Sequence, residues 1–430
     1  MRISTLWRLS MIHVAVALTL LPIDSTLNRI MISELGLSAT LVAVLVAVPY
    51  MLSPMQMWIG SLSERMPLWG FRRSPYIMLG IILCAAGAWL SPYAAFAIHD
   101  GVWWGIPLGF VAFGAWGFGF NFATVSYLAL ATELSGHGER ARTVGVMWFV
   151  LIVSMIIGGI TLSRAIDPYS HERLIAAFGW TSLVALGLGV IGVVGLESRN
   201  TQVTPVTHQR MGDVLRTVAA NPQARLFFVY LMLLLIALLG QDVLLEPYAA
   251  DVFGVPPATT TRYTSLWGVA FLLGLLITNR MTRRWGMMRV AGIGAVIAAG
   301  GLSGIVVAGV VGQVVWLMPA LMLFGLGAGI STASNLALML DMTVAGQIGV
   351  FIGAWGVADA LARLGGTILS GVVRDVITLS FGSKLWGYVG VFSIEIIVLL
   401  VSIWLLRRIN PEVFQRQVSQ DTMEIASHMA

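Results

Sequence analysis

Apolar stretches of about membrane-spanning length alternate along the whole chain with short loops that carry most of the arginines. A helix needs about 20 apolar residues to cross the hydrocarbon core. Twelve such segments are legible, at roughly 9–32, 38–60, 76–97, 103–130, 144–164, 174–196, 226–249, 263–280, 289–310, 314–339, 347–373 and 385–406. Several exceed one span, which predicts tilt or kinks. The expected class is an all-α membrane protein of twelve transmembrane helices.

Composition agrees. Hydrophobic residues make up 58% of the 430 and charged residues 10%, with a mean hydropathy of +0.88. That is too little charge to cover a water-soluble surface. The basic start before the first span resembles a signal peptide, but the apolar run is too long and no small-residue cleavage site follows, so a retained first helix is expected. With the N-terminus inside, 18 of the 25 lysines and arginines fall on the cytoplasmic side and 6 on the other, Arg363 lying within a span. The bias puts both termini in the cytoplasm. Net charge of +5 in such a chain says nothing for nucleic acid. The single cysteine, Cys84, excludes an internal disulfide or a cysteine metal site; no metal site is expected.

The chain repeats itself. Gly117, Gly119, Thr124, Ser126, Leu128, Ala129 and Leu130 recur as Gly325, Gly327, Thr332, Ser334, Leu336, Ala337 and Leu338, at an offset of 208, and Glu133 and Asp341 close the two copies. A duplicated six-helix unit follows, with halves at 1–197 and 226–408. A cytoplasmic linker at 198–225 ends in an amphipathic piece, 211–220, suited to the membrane interface; 409–430 is a polar tail. The clustered glycines lack a preceding strand, so they read as close helix packing rather than a nucleotide loop.

A second echo is the loop with Gly60, Glu64, Arg65, Gly70, Arg72 and Arg73, matched by Arg280, Arg283, Arg284, Gly286 and Arg289 without the acid. Arginines there can bind a carboxylate and exposed helix-end carbonyls, latching helices together; in the second copy the missing acid leaves a latch unsupported. The first copy resembles the loop signature of the major facilitator superfamily.

Ionisable groups within spans are costly and mark function or pairing. Asp24, Asn28 and Arg29 lie on the first helix, with Glu34 beyond; they form a polar cluster at a cavity mouth or a helix end at the outer face. Asp242 and Glu246, after Gln241 and four residues apart, would share a helical face, where like charge raises at least one pKa; proton coupling, cation binding or a solvated helix end all fit. Asp359 and Arg363 form a mid-span pair, either structural or lining a cavity. Glu395 has no local partner. His13 is the one histidine within a span, a possible axial ligand for the magnesium of a chlorophyll-type macrocycle or a hydrogen-bonded helix residue. Trp148 and Trp355 occupy equivalent places in the two halves and can pack the core or stack on a flat ligand.

Three stretches carry a resemblance. Leu27-Asn28-Arg29-Ile30-Met31-Ile32-Ser33-Glu34-Leu35-Gly36, Arg72-Arg73-Ser74-Pro75-Tyr76-Ile77 and Gln241-Asp242-Val243-Leu244-Leu245-Glu246-Pro247-Tyr248 resemble the motifs of the PucC/LhaA family, the bacteriochlorophyll-delivery branch of the major facilitator superfamily. The resemblance spans nearly the whole chain. It implies a non-enzymatic assembly factor in the inner or intracytoplasmic membrane of a photosynthetic bacterium. Its ligand would be bacteriochlorophyll or a precursor, and its partners light-harvesting polypeptides or pigment-synthesis enzymes. The alternative is a proton-coupled secondary transporter of a small or lipophilic solute, using Asp24, Arg29, Asp242, Glu246, Asp359 and Arg363. A membrane enzyme of tetrapyrrole tail chemistry lacks a second acidic cluster.

Overall fold

In the computed structural model, the described residues are 3–135, 140–199, 216, 219, 221–342, 348–410 and 413–414. The linker at 198–225, with its expected interfacial helix, and the tail at 409–430 lie largely outside them. The elements are α1 (Ile3–Leu21), α2 (Ala39–Val46), α3 (Val48–Met51), α4 (Met55–Arg65), α5 (Ser74–His99), α6 (Gly105–Leu134), α7 (Arg140–Ala165), α8 (His171–Val193), α9 (Pro222–Leu239), α10 (Leu245–Phe253), α11 (Pro257–Trp285), α12 (Met287–Val311), α13 (Leu317–Asp341), α14 (Ile348–Phe381) and α15 (Lys384–Leu406). There is no strand among the described residues.

Eleven helices among the described residues are long and apolar enough to cross a membrane. The difference from twelve lies in the second segment. It is divided into α2, α3 and α4, with turns at Ala47 and Leu52–Pro54. Pro49 and Pro54 each lack the N–H that would continue the ladder. The apolar run is therefore present without a single helix long enough to be one span.

α1 is also irregular. Pro22 opens a π-helical stretch, Pro22–Leu27, and a second follows at Ile30–Glu34. Wider turns of this kind recur at functional sites.

The chain forms two compact units. The first comprises Met1–Val206, Asp242–Gly268 and Ser370–Leu385; the second comprises Thr207–Gln241, Val269–Leu369 and Trp386–Ala430. Each contains one copy of the repeated helix pair, closed by missing side chains. In the first unit α5 meets α6 so closely that a Cβ on Gly119 would stand 2.4 Å from the Cys84 nitrogen, and one on Gly80 2.4 Å from the Ala123 nitrogen. In the second unit α12 meets α13, where a Cβ on Gly327 would stand 2.3 Å from the Ala298 nitrogen and one on Gly294 2.6 Å from the Ser331 nitrogen. The repeated glycines are packing residues, as small residues at membrane helix contacts should be.

Candidate functional site

The first unit gathers buried polar groups where the widened end of α1 meets the segment before and within α10. Asn28 and Arg29 are both buried. Asn28 Nδ2 donates to the Val243 carbonyl at 3.3 Å, and Ser33 Oγ to the Pro247 carbonyl at 3.4 Å. Two of the three recognised motifs thus lie against each other. Arg29 Nη1 pairs with Glu34 at 2.8 Å and Nη2 donates to the Val255 carbonyl at 2.8 Å. The Thr26 and Thr261 hydroxyls are 3.1 Å apart. Asp24 sits half-buried on the first π-helical stretch. Glu34, read as lying just past the cluster, is the counter-charge of Arg29.

Asp242 and Glu246 do not share a helical face. The helix tightens to 3₁₀ geometry at Gly240–Val243 and restarts at Leu245. Asp242 is exposed while Glu246 is 5% exposed. Glu246 lies beyond the span that ends at Val243. Its Oε1 accepts from the Thr264 hydroxyl, and Oε2 has no hydrogen-bond partner among the described residues. Burial pushes its carboxyl up to about 8, against the opposing pull of Thr264, Thr260 and the Arg29 charge. The shift expected from a neighbouring carboxylate is therefore caused by desolvation.

Beside this cluster is a network that sequence reading missed. Asp251 pairs with Arg374 at 3.1 Å and with Lys384 at 3.0 Å, and Arg374 reaches Asp375 at 2.9 Å. Asp375 accepts the Ala39 and Thr40 backbone N–H groups, at 3.2 and 2.8 Å, at the start of α2, where a carboxylate favours the helix dipole. Asp251 lies 123 residues from Arg374 and 133 from Lys384 in the chain, so spacing gave no signal.

At the arginine-rich end of the same unit, the loop read as a latch carries an ion-pair network. Arg73, 4% exposed, pairs with Glu64 and with Glu133, the latter at 2.8 Å, and Nη1 meets Ser63 Oγ at 2.5 Å. Arg72 reaches Glu133 at 3.2 Å and Glu64 at 3.8 Å. The loop therefore ties α4, α5 and α6 rather than two helices. Gly70 makes the turn at φ +83°. A Cβ on Gly60 would meet only ordinary contact, so packing alone does not require glycine there. Arg65 also engages a partner. Glu197, beyond α8, was not foreseen. Its carboxylate accepts the backbone N–H groups of Arg72, Arg73 and Ser74 at 2.8, 3.0 and 2.7 Å, placing an anion on the first turn of α5.

His13 is buried in the first unit, 4.9 Å from the Tyr127 ring centroid and edge-on to Trp148 at 5.4 Å. The ring hydrogen-bonds with the Met147 backbone, and Nδ1 has no hydrogen-bond partner among the described residues. Trp148 itself is about half exposed.

The remaining candidates belong to the second unit. Gln241 is buried and donates to the Leu238 carbonyl. Trp355 is buried edge-to-face against Phe227 at 4.8 Å, so the two equivalent tryptophans differ in exposure. Arg363 Nε pairs with Asp359 at 3.0 Å. Both side chains are partly exposed, at 33% and 44%, so the pair is not enclosed in the core of that unit.

Similarity to known proteins can be set on this geometry. The sequence profile of the PUCC protein family matches residues 26–414. Protein PucC of Cereibacter sphaeroides is 28% identical over 91% of this chain and 88% of its own length. A Rhodobacter capsulatus protein named bacteriochlorophyll synthase 44.5 kDa chain is 29% identical over 87% of this chain and 88% of its own. Among solved structures, a variant of the nucleoside transporter NupG superposes with a TM-score of 0.74 at 13% identity, covering 94% of this chain and 99% of that one. That likeness establishes the major-facilitator fold and not a substrate. The chain is a multi-pass membrane protein on this transporter fold, and it belongs to the PUCC protein family.

Proposed function

We propose that this protein binds a bacteriochlorophyll-type pigment or precursor and delivers it to, or assembles it with, light-harvesting polypeptides, without enzymatic chemistry of its own. It does so in the cytoplasmic or intracytoplasmic membrane, with both termini cytoplasmic. Family membership, relatives from photosynthetic bacteria and the name of the Rhodobacter capsulatus relative support the reading. The observation that carries it is His13. The His13 imidazole hydrogen-bonds with the Met147 backbone and keeps an unengaged Nδ1 among the described residues, a nitrogen base for the magnesium of a macrocycle. Trp148 stands edge-on to that ring and is half exposed. Its exposed ring offers a flat face for stacking beside His13.

The test is an absorption spectrum of the full chain after mild detergent extraction or after loading with bacteriochlorophyll. Wild-type protein is expected to hold pigment, and His13→Leu to hold much less of it or to shift its band. Colourless wild-type protein that cannot be loaded, yet moves a small solute in vesicles, sinks the proposal. That result would favour a proton-coupled secondary transporter, for which buried Glu246 beside Arg29 is the specific support.

A further inference from the structure

The two copies of the arginine-rich loop treat their charge in opposite ways. In the first, Glu64, Glu133 and Glu197 neutralise Arg72, Arg73 and the start of α5. In the second unit the chain ends α11 with Arg283, Arg284 and Trp285, turns at Gly286 with φ +81°, and starts α12 with Arg289 in its first turns. A Cβ on Gly292 of α12 would lie 3.7 Å from Leu406, so the end of α15, with Arg407 and Arg408 following, abuts the same place. Where the first half carries Glu197 beyond α8, the second carries two arginines.

All five of these arginines are exposed, and none has a hydrogen bond or ion pair among the described residues. Two tryptophans stand among them, Trp285 44% and Trp404 50% exposed. The Arg284 guanidinium lies over the Trp285 ring at 5.9 Å, and that of Arg408 over Trp404 at 3.7 Å. Exposed tryptophan at the end of a membrane-spanning helix marks the headgroup level. The ring holds the guanidinium plane and leaves its N–H edge to accept a forked anion.

We propose that this arginine and tryptophan patch of α11, α12 and α15 binds the phosphodiester headgroup of an anionic phospholipid from the surrounding leaflet. The lipid supplies from outside the counter-charge that the first half builds from Glu64, Glu133 and Glu197. Arg284, Arg289 and Arg408 hold the phosphate, and the acyl chains lie along the apolar faces below. A protein partner is the competing class; a polar, shared surface would suit it, whereas paired tryptophans at a helix-end rim suit a lipid headgroup.

The test uses the full chain in detergent and in nanodiscs of phosphatidylcholine with or without phosphatidylglycerol. Native mass spectrometry counts retained lipid. Wild-type protein is expected to retain phosphatidylglycerol over phosphatidylcholine, and the variant R284Q/R289Q/R408Q to lose that preference roughly tenfold or more, since each arginine near an anionic surface contributes about a factor of five. Arg173→Gln, outside the patch, is expected to retain the lipid. An unchanged thermal midpoint of the triple variant in neutral detergent shows that it folds. Equal lipid retention by the triple variant and wild type overturns the proposal. So does displacement of the lipid by inorganic phosphate at equal concentration, which would make the patch a free-anion site. Unchanged lipid retention with lost capture of antenna polypeptide would assign the patch to a protein and also overturns it.

Discussion

The two arginine-rich loops resemble each other in sequence, and the helix pairs beside them match glycine for glycine. α5 and α6 are closed by Gly80 and Gly119, α12 and α13 by Gly294 and Gly327. The loops themselves have parted. One is held by three carboxylates of its own chain, two on the arginine side chains and one on the backbone; the other leaves its arginines without such a partner among the described residues. Packing tolerates little change, because a Cβ at these glycines would overlap backbone. Charge at a helix end can be neutralised by a side chain, by lipid or by water, so it is free to diverge.

The largest break in this comparison should come from Arg73→Ala, which leaves Glu64 and Glu133 without their cation. About 3 kcal/mol or more is expected to be lost in denaturant unfolding in detergent. Next come Gly119→Ala and Gly327→Ala. Each should cost about 1–3 kcal/mol, and by similar amounts, because the seams remained equivalent while the loops did not. A wide disparity would mean that one seam has loosened. Glu246 supplies the case of a carboxylate neutralised by burial instead of by an arginine. Its folded-state pKa of about 8 lies above the ordinary 4.5. The folded state therefore binds more protons than the unfolded one between those values, and stability falls as pH rises through that window, by up to ~1.4 kcal/mol per unit. Glu246→Gln should flatten the pH profile, and an unchanged slope would assign it to another group. Glu197→Gln should cost about 1 kcal/mol, measured the same way, from losing an anion on α5's first turn. Arg284→Gln should be smallest, within about 0.5 kcal/mol in neutral detergent. A loss as large as that of Arg73→Ala would show that the second loop is latched after all.

Much of the fold was legible because lipid imposes a simple rule on spans, and the hydropathy of the chain obeys it. Eleven helices stand where apolar runs were read. The breaks within the second segment were not legible, because hydropathy weighs Leu45 and Pro49 by polarity alone and not by the N–H that proline lacks. The contact of Leu27–Gly36 with Val243 and Pro247 was legible only as two motifs recognised apart. The helix break at Gly240–Leu244 was not legible, so Asp242 and Glu246 were assigned to one face. Arg72 and Arg73 announced a latch through the nearby Glu64. Glu197 and the Asp251–Arg374–Asp375 network did not, because no local pattern links residues more than 120 positions apart.

The glycine seams also constrain how this protein can move. Two helices whose backbones touch cannot slip by one residue without driving a side chain into a main chain, so each pair must travel as a single plank. The irregular turns among the described helices lie outside these seams: the wider turns after Pro22, the broken run from Ala39 to Arg65, and the tightened turn at Gly240.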